Sequence, residues 1–318
     1  MLTTSLSIAG GLILLLAGGE SLVRGSVAVA RSLKVSPLLI GLTLVGFGTS
    51  TPELVTSLEA ALAGSPGIAI GNVVGSNIAN ILLILGIAAL LRPFACHPGA
   101  FRRDGAVLIG SALLGTGVML FGTMTRPAGL ILVVLLIAYV VWTYLTERGH
   151  PESESAALHA GEAGLAEPVP ARLGLSLVLA ASGIAMTILG ARLLVGGTMT
   201  LAREAGISET LLGLTLVAVG TSLPELVTSV IAALRRQGEI AFGNVVGSNI
   251  YNILGILGVT ALVHPIAVPP EVLRLDVWVM IAATFLLAAF TVTGWRITRL
   301  EGGVCLAGYV GYIAVLAV

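Results

Sequence analysis

The sequence predicts an all-α polytopic membrane protein of ten transmembrane helices, arranged as two inverted five-helix repeats with helices 2 and 7 broken. Three observations carry that expectation. Of 318 residues, 56% are hydrophobic and 10% charged, against about 25% charged in an ordinary soluble domain. Residues 41–90 recur as residues 213–262, with 35 of 50 positions identical at an offset of 172 and no gap. Basic residues crowd into alternate connections between the apolar stretches, the pattern of a chain threaded repeatedly through a bilayer.

About 20 apolar residues are enough to cross the hydrocarbon core. Breaks at charges, glycine and proline delimit ten such spans: 6–29, 37–62, 67–91, 104–122, 127–145, 173–200, 209–234, 239–263, 272–293 and 302–318. The connections after the odd-numbered spans hold eleven basic residues: Arg31, Lys34, Arg92, Arg102, Arg103, Arg148, Arg172, Arg235, Arg236, Arg296 and Arg299. The other connections hold only Arg126, Arg203 and Arg274. Basic loops mark the cytoplasmic side, so both termini are expected outside an integral protein of a prokaryotic inner membrane. Five spans per copy is an odd number, so the second copy enters from the opposite side. Two repeats, 1–145 and 172–318, therefore flank residues 146–171.

The first span lacks a basic lead-in and runs on through Glu20 and Arg24, which reads as a retained helix rather than a cleaved signal. Those two residues are one helical turn apart and neutralise one another. The second span is interrupted by Gly46, Gly48 and Pro52. Proline removes a donor, so Pro52 is expected to free the carbonyl of Gly48, and Pro224 that of Gly220. In the third span Asn72, Ser76 and Asn80 recur every four residues on one helix face. Gly71 and Gly75 lie beside them, and small residues let backbones approach closely. That approach is expected to bring the stripe against the broken second span, with Asn77 and Asn249 making interhelical hydrogen bonds instead. Spans four, five, nine and ten carry little beyond scattered Thr and Ser and read as scaffold. Residues 146–171, with five Glu, two His and three Pro, read as a flexible cytoplasmic linker. Nothing there fixes a metal geometry around His150 and His159.

The duplicated block is unusual in its chemistry. Within apolar sequence it holds Thr49, Ser50, Glu53, Asn72, Ser76 and Asn80, and again Thr221, Ser222, Glu225, Asn244, Ser248 and Asn252. An ionisable residue at membrane depth is a functional-site hypothesis by default, and here there are two at matching positions. Single polar residues often serve only as interhelical hydrogen bonds worth about 0.6 kcal/mol. Duplicated carboxylates beside duplicated helix breakers point instead to an ion site.

The strings GTSTPE at 48–53 and GTSLPE at 220–225, each followed by GNVVGSN, resemble the sodium/calcium exchangers of the cation/calcium antiporter superfamily. The resemblance extends over the ten-span plan, and it implies exchange of calcium for sodium by alternating access. It implies acidic ligands at Glu53 and Glu225 and hydroxyl ligands at Thr49, Ser50, Ser76, Thr221, Ser222 and Ser248. Main-chain oxygens at Gly46 and Ala218 and amides at Asn80 and Asn252 complete the implied set. Calcium-transporting relatives often have Asp at the position of Asn252, so this chain departs from them there.

The donor types fit that expectation independently, since calcium takes about six to eight oxygen ligands in flexible geometry. Zinc and copper favour nitrogen and sulfur, and His97, His150, His159 and His264 all lie in loops or at span ends. Cys96 and Cys305 are far apart and expected on different sides, which argues against a disulfide. No HExxH string and no serine with a histidine at depth suggests an enzyme, and no cofactor or obligate protein partner is indicated. Membrane lipid is the expected surround, and a formal charge of zero gives no reason to expect nucleic acid. A calcium/proton exchanger is the nearest alternative, weakened because Asn80 and Asn252 carry no proton. A channel is a further alternative, although channels commonly use rings of identical elements. The topology is open to test: protease added outside intact cells should leave residues 146–171 uncut, and cleavage from that side would contradict it.

Overall fold

The computed structural model describes residues 2–36, 39–149 and 173–317, most of them helical. Helix α1 spans Leu2–Ser32. Helix α2 consists of a wide π-type turn at Ile40–Val45 and an α-helical piece at Thr51–Leu62. Pro66–Leu91 forms α3, Pro98–Met119 α4 and Arg126–Gly149 α5. The second half repeats the order: α6 at Leu173–Ala205, α7 as Glu209–Thr221 plus Leu223–Leu234, and α8 at Gly238–Val263. Val272–Gly294 is α9 and Arg299–Leu316 is α10. Of the expected linker, residues 146–149 extend α5, and the remainder lies outside the described residues.

Seven of these helices, α1, α3, α5, α6, α8, α9 and α10, are long and apolar enough to cross a membrane, and α7 joins them as a pair bent by 47°. Helix α4 falls short because Arg102, Arg103 and Asp104 occupy its first turns. Segment α2 is divided by a turn at residues 46–50.

Burial explains which helices sit where. In their most apolar stretches α3 and α8 are 83% and 78% buried, against 22% for α5 and α10. The duplicated GNVVGSN helices are thus the centre of the bundle, and the outer helices turn Leu6, Ile13, Val178 and Val310 outward. Four short strands tie the connections together. Phe94–Ala95 (β1) pairs antiparallel with Arg296–Ile297 (β4), and Thr123–Met124 (β2) with Ile266–Ala267 (β3). Positions 94 and 124 have mates 266 and 296 at the 172 offset, so each ladder joins the third connection of one copy to the fourth connection of the other.

The scaffold helices carry more polar chemistry than their sequences suggested. Tyr139 of α5 donates to Asp104 of α4 at 3.0 Å, and in the second copy Tyr312 of α10 donates to Asp276 of α9 at 2.8 Å. In the first copy Arg103 adds ion pairs to Asp104 and to buried Glu147. Each pair staples the fourth helix of its repeat to the fifth. Arg24 meets Glu20 at 2.5 Å, as the one-turn spacing predicted. Cys96 and Cys305 are buried free thiols.

Helices α1 and α6 meet through glycines seven residues apart in each copy: Gly11, Gly18 and Gly25 against Gly183, Gly190 and Gly197. A Cβ added at Gly11 would lie 2.6 Å from the backbone nitrogen of Leu194, and one at Gly183 would lie 2.4 Å from that of Leu22. Main chain therefore packs on main chain, a closeness only glycine permits. Overpacking of this kind costs about 1–3 kcal/mol. Gly11→Leu should accordingly lower the melting temperature in detergent. Gly10→Leu should not, because a Cβ there meets nothing within 4 Å. Equal melting of the two variants would refute this account.

Candidate ion-binding site

The site begins with the two breaks. Pro52 and Pro224 each sit in the first turn of an α-helical piece, Thr51–Leu62 and Leu223–Leu234, where a missing N–H costs nothing. The turn before Pro52 needs glycine: a Cβ on Gly48 would lie 2.2 Å from the carbonyl oxygen of Leu44. Gly48 does not offer a free carbonyl, as its oxygen accepts from Thr51 N–H at 3.2 Å. The chain closes a tighter turn and recovers the bond that Pro52 cannot make. Glu53 and Glu225 fall in the first turns of the two pieces, at the end of the helix dipole that attracts negative charge.

The two copies then reach across to one another. Ser50 donates to Glu225 Oε1 at 2.7 Å, and Ser222 donates to Glu53 Oε1 at 2.9 Å. Ser248 lies 3.3 Å from the Ser50 hydroxyl, and Ser76 lies 3.1 Å from that of Ser222. The Ala218 carbonyl is 3.4 Å from the Ser76 hydroxyl and 3.3 Å from that of Thr221. Glu53 and Glu225 are 1% and 0% exposed, and neither is in an ion pair among the described residues. Thr49 Oγ1, Glu53 Oε2, Glu225 Oε2, Asn80 Oδ1 and both polar atoms of the Asn252 amide are buried without a protein hydrogen-bond partner. Gly46 lies in the turn between the two pieces of α2. Wide π-type turns begin beside Asn80 and at Asn252, a local form of helix frequent at functional sites.

Several residues do something other than their spacing suggested. Gly71 and Gly75 pack on α7 rather than α2: a Cβ at Gly75 would lie 2.5 Å from Leu214 O, and one at Gly71 2.9 Å from Thr210 O. Their neighbour Asn72 is what reaches α2, donating to the Glu53 carbonyl at 3.1 Å and to Ser57 at 2.9 Å. Asn244 does the same to the Glu225 carbonyl and Ser229, at 3.3 Å and 3.0 Å. Ser57 and Ser229 were visible in the repeated ELVTS string, but nothing local marked them as partners of the asparagines. Asn77 and Asn249 donate within their own helices, to Val73 O at 2.7 Å and Val245 O at 2.8 Å.

The arrangement suits a hard cation. Two carboxylates, serine hydroxyls and a main-chain oxygen are linked there, and among the described residues no cationic side chain pairs with the carboxylates. Uncompensated charge at this depth costs several kcal/mol per ion, and a bound cation removes that cost. Oxygen-only donors in an adaptable cage match calcium-like and sodium-like ions.

Comparison with known proteins agrees with that chemistry. Residues 4–145 and 175–318 match the family described as sodium/calcium exchanger protein. The sodium/calcium exchanger MaX1 of Methanosarcina acetivorans is 37% identical, with 96% of each chain covered. The inner membrane protein YrbG of Escherichia coli is 35% identical, covering 100% of this chain and 96% of that one. Among solved structures, the sodium-calcium exchanger NCX_Mj soaked with Na+ and Sr2+ superposes with a TM-score of 0.67 at 34% identity, with 98% of each chain covered. This chain belongs to the sodium/calcium exchanger family.

Proposed function

We propose that the protein exchanges calcium for sodium across the membrane by alternating access. In this reading ten transmembrane segments form two inverted repeats, both termini are extracytoplasmic, and the residues between the repeats are a cytoplasmic linker. The strand ladders support inversion, because the third connection of one copy can meet the fourth of the other on one face only if the copies run in opposite senses. The proposed ligands are Glu53 and Glu225 with Thr49, Ser50, Ser76, Asn80, Thr221, Ser222, Ser248 and Asn252, and the main-chain oxygens of Gly46 and Ala218.

One observation carries the reading: two buried carboxylates, each clasped through one oxygen by a serine of the opposite repeat and each with its second oxygen unpartnered. A pair of this kind is minus two when both groups are ionised. One calcium ion neutralises it, and two or three sodium ions neutralise or exceed it. Both ions need the same oxygens, so they exclude one another, and mutual exclusion is what exchange requires.

Removing one partner from a buried charge arrangement costs about 3–5 kcal/mol. Glu53→Gln or Glu225→Gln should therefore cut sodium-driven calcium uptake into proteoliposomes by more than roughly a hundredfold while the protein stays monodisperse. Robust uptake by either variant would sink the assignment. Calcium flux measured at fixed pH with and without sodium separates sodium from proton coupling.

Asn252 keeps the charge of the cavity dependent on the two glutamates alone, since its buried amide neither gains nor loses a proton. Asn252→Asp adds a third carboxyl. Its protonation would weaken calcium binding, so calcium flux should fall below neutral pH in this variant and more steeply than in the parent, with sodium dependence retained. Superimposable pH profiles would count against a ligand role for position 252.

A further inference from the structure

The two strand ladders are built alike except at one residue. In the β2–β3 ladder Val268 N–H donates to Gly122 O at 2.9 Å, and in the β1–β4 ladder Cys96 N–H donates to Trp295 O at 2.8 Å. Both acceptors lie just past the end of a long helix, α4 or α9, and both are left-handed, with φ of 77° at Gly122 and 50° at Trp295. Glycine takes that conformation freely, whereas a bulky side chain there is strained. Gly294 stands one residue earlier, yet the strained position goes to the tryptophan. Its backbone is fixed by a second bond, from Trp295 N–H to Thr291 O at 2.9 Å. Strain of this kind gathers where a side chain must be placed for a ligand.

The Trp295 ring is half-buried, and Arg102 of α4 lies over it, with Cζ 5.9 Å from the ring centroid. Arg296 and Arg299 follow it in the chain, and all three arginines are exposed. None of the three pairs with a carboxylate among the described residues. The acids at the starts of α4, α8 and α10 are engaged with other groups: Asp104 with Arg103 at 2.7 Å, Glu239 with His97 at 2.8 Å, and Glu301 with Thr298 N–H at 2.7 Å. Beside the arginines is apolar surface. Val292, Leu300 and Val304 are 51%, 78% and 46% exposed, on α9 and α10, two helices apolar enough to cross a membrane. The other ladder lacks this combination: by register Thr123 stands where Arg296 does, and Arg126, in the place of Arg299, reaches Val263 O at 3.4 Å.

We propose that the β1–β4 corner is a binding site for one anionic phospholipid. Arg102, Arg296 and Arg299 hold its phosphate diester, Trp295 lies at the level of its glycerol backbone, and an acyl chain runs along Val292, Leu300 and Val304. Arginine matches phosphate geometry with a fork of donors, tryptophan favours the boundary between hydrocarbon and headgroups, and basic pockets at helix ends take anionic headgroups. Membrane topology accounts for basic charge on this face, but not for a tryptophan in left-handed backbone or for arginines left without acids. A bound lipid joins α4 of the first repeat to α9 and α10 of the second. The site stands whichever ion the protein carries.

The test uses the full chain purified in neutral detergent and titrated with phosphatidylglycerol or with phosphatidylcholine of the same acyl chains, read by native mass spectrometry and by melting temperature. Phosphatidylglycerol should bind more tightly and raise the melting temperature further. Replacing Arg102, Arg296 or Arg299 by Gln should weaken the tightest phosphatidylglycerol about fivefold each, and the triple variant roughly a hundredfold. Arg274→Gln, at the sequence mate of Arg102 in the second copy, should leave that affinity unchanged. Trp295→Gly relieves the strain, so it should melt no lower than the parent without lipid and lose the gain from phosphatidylglycerol. Equal binding of the two lipids, or a triple variant that binds phosphatidylglycerol as the parent does, would overturn the site. So would a triple variant that melts equally far below the parent with and without lipid, since the arginines would then serve the protein's own packing. If Trp295→Gly does not fold, the arginine variants carry the test by themselves.

Discussion

Two buried carboxylates without a cationic partner among the described residues are the constraint on which the rest of the structure depends. Glu53 and Glu225 are almost inaccessible, and moving a carboxylate out of water costs several kcal/mol even after relaxation. Each is held at a helix N-terminus created by proline and is clasped by a serine from the other repeat. These groups blunt the cost without removing it. In the proposed reading a bound cation removes it, so that charge balance and transport would share one set of residues.

Bringing the carboxylates together requires that two broken helices approach two continuous ones closely, and glycine supplies that approach in two ways. Between α1 and α6 it recurs every seven residues and lets the backbones of the outer pair touch. Beside the site it recurs every four residues along α3 and α8, next to the polar stripe. There its neighbours Asn72 and Asn244 hold the main chain at Glu53 and Glu225. The asparagines thus belong to the support of the carboxylates, and the glycines determine which helix the support leans on.

Duplication places two nearly identical strings around one centre, and they are not equally buried: Gly71 and Asn72 are buried, and their mates Gly243 and Asn244 are half-buried. Packed interiors switch between discrete arrangements rather than deforming continuously. In the proposed reading, nearly identical sequence in unequal environments is what inverted copies alternating between two arrangements should display. The copies also depart from symmetry in side chains: Phe47 stacks on Tyr251 with ring centroids 4.4 Å apart, while their mates are Val219 and Ala79.

By itself the sequence determined the membrane class, the approximate helical segments, the duplication and the polar positions. Hydrophobic length, repeat identity and the location of charges are one-dimensional properties, read without knowing what touches what. It also marked Glu53 and Glu225, because a carboxylate in apolar sequence is conspicuous whatever surrounds it. Only the tertiary structure decided the partners. Spacing gave no sign that Ser50 would serve Glu225 rather than Glu53, that Gly75 would lean on α7, or that Asn77 would bond within its own helix. Each outcome depends on distances between segments remote in the chain. The inequality of the two copies lay furthest beyond the sequence, since identical strings carry identical local preferences and only their packing separates them.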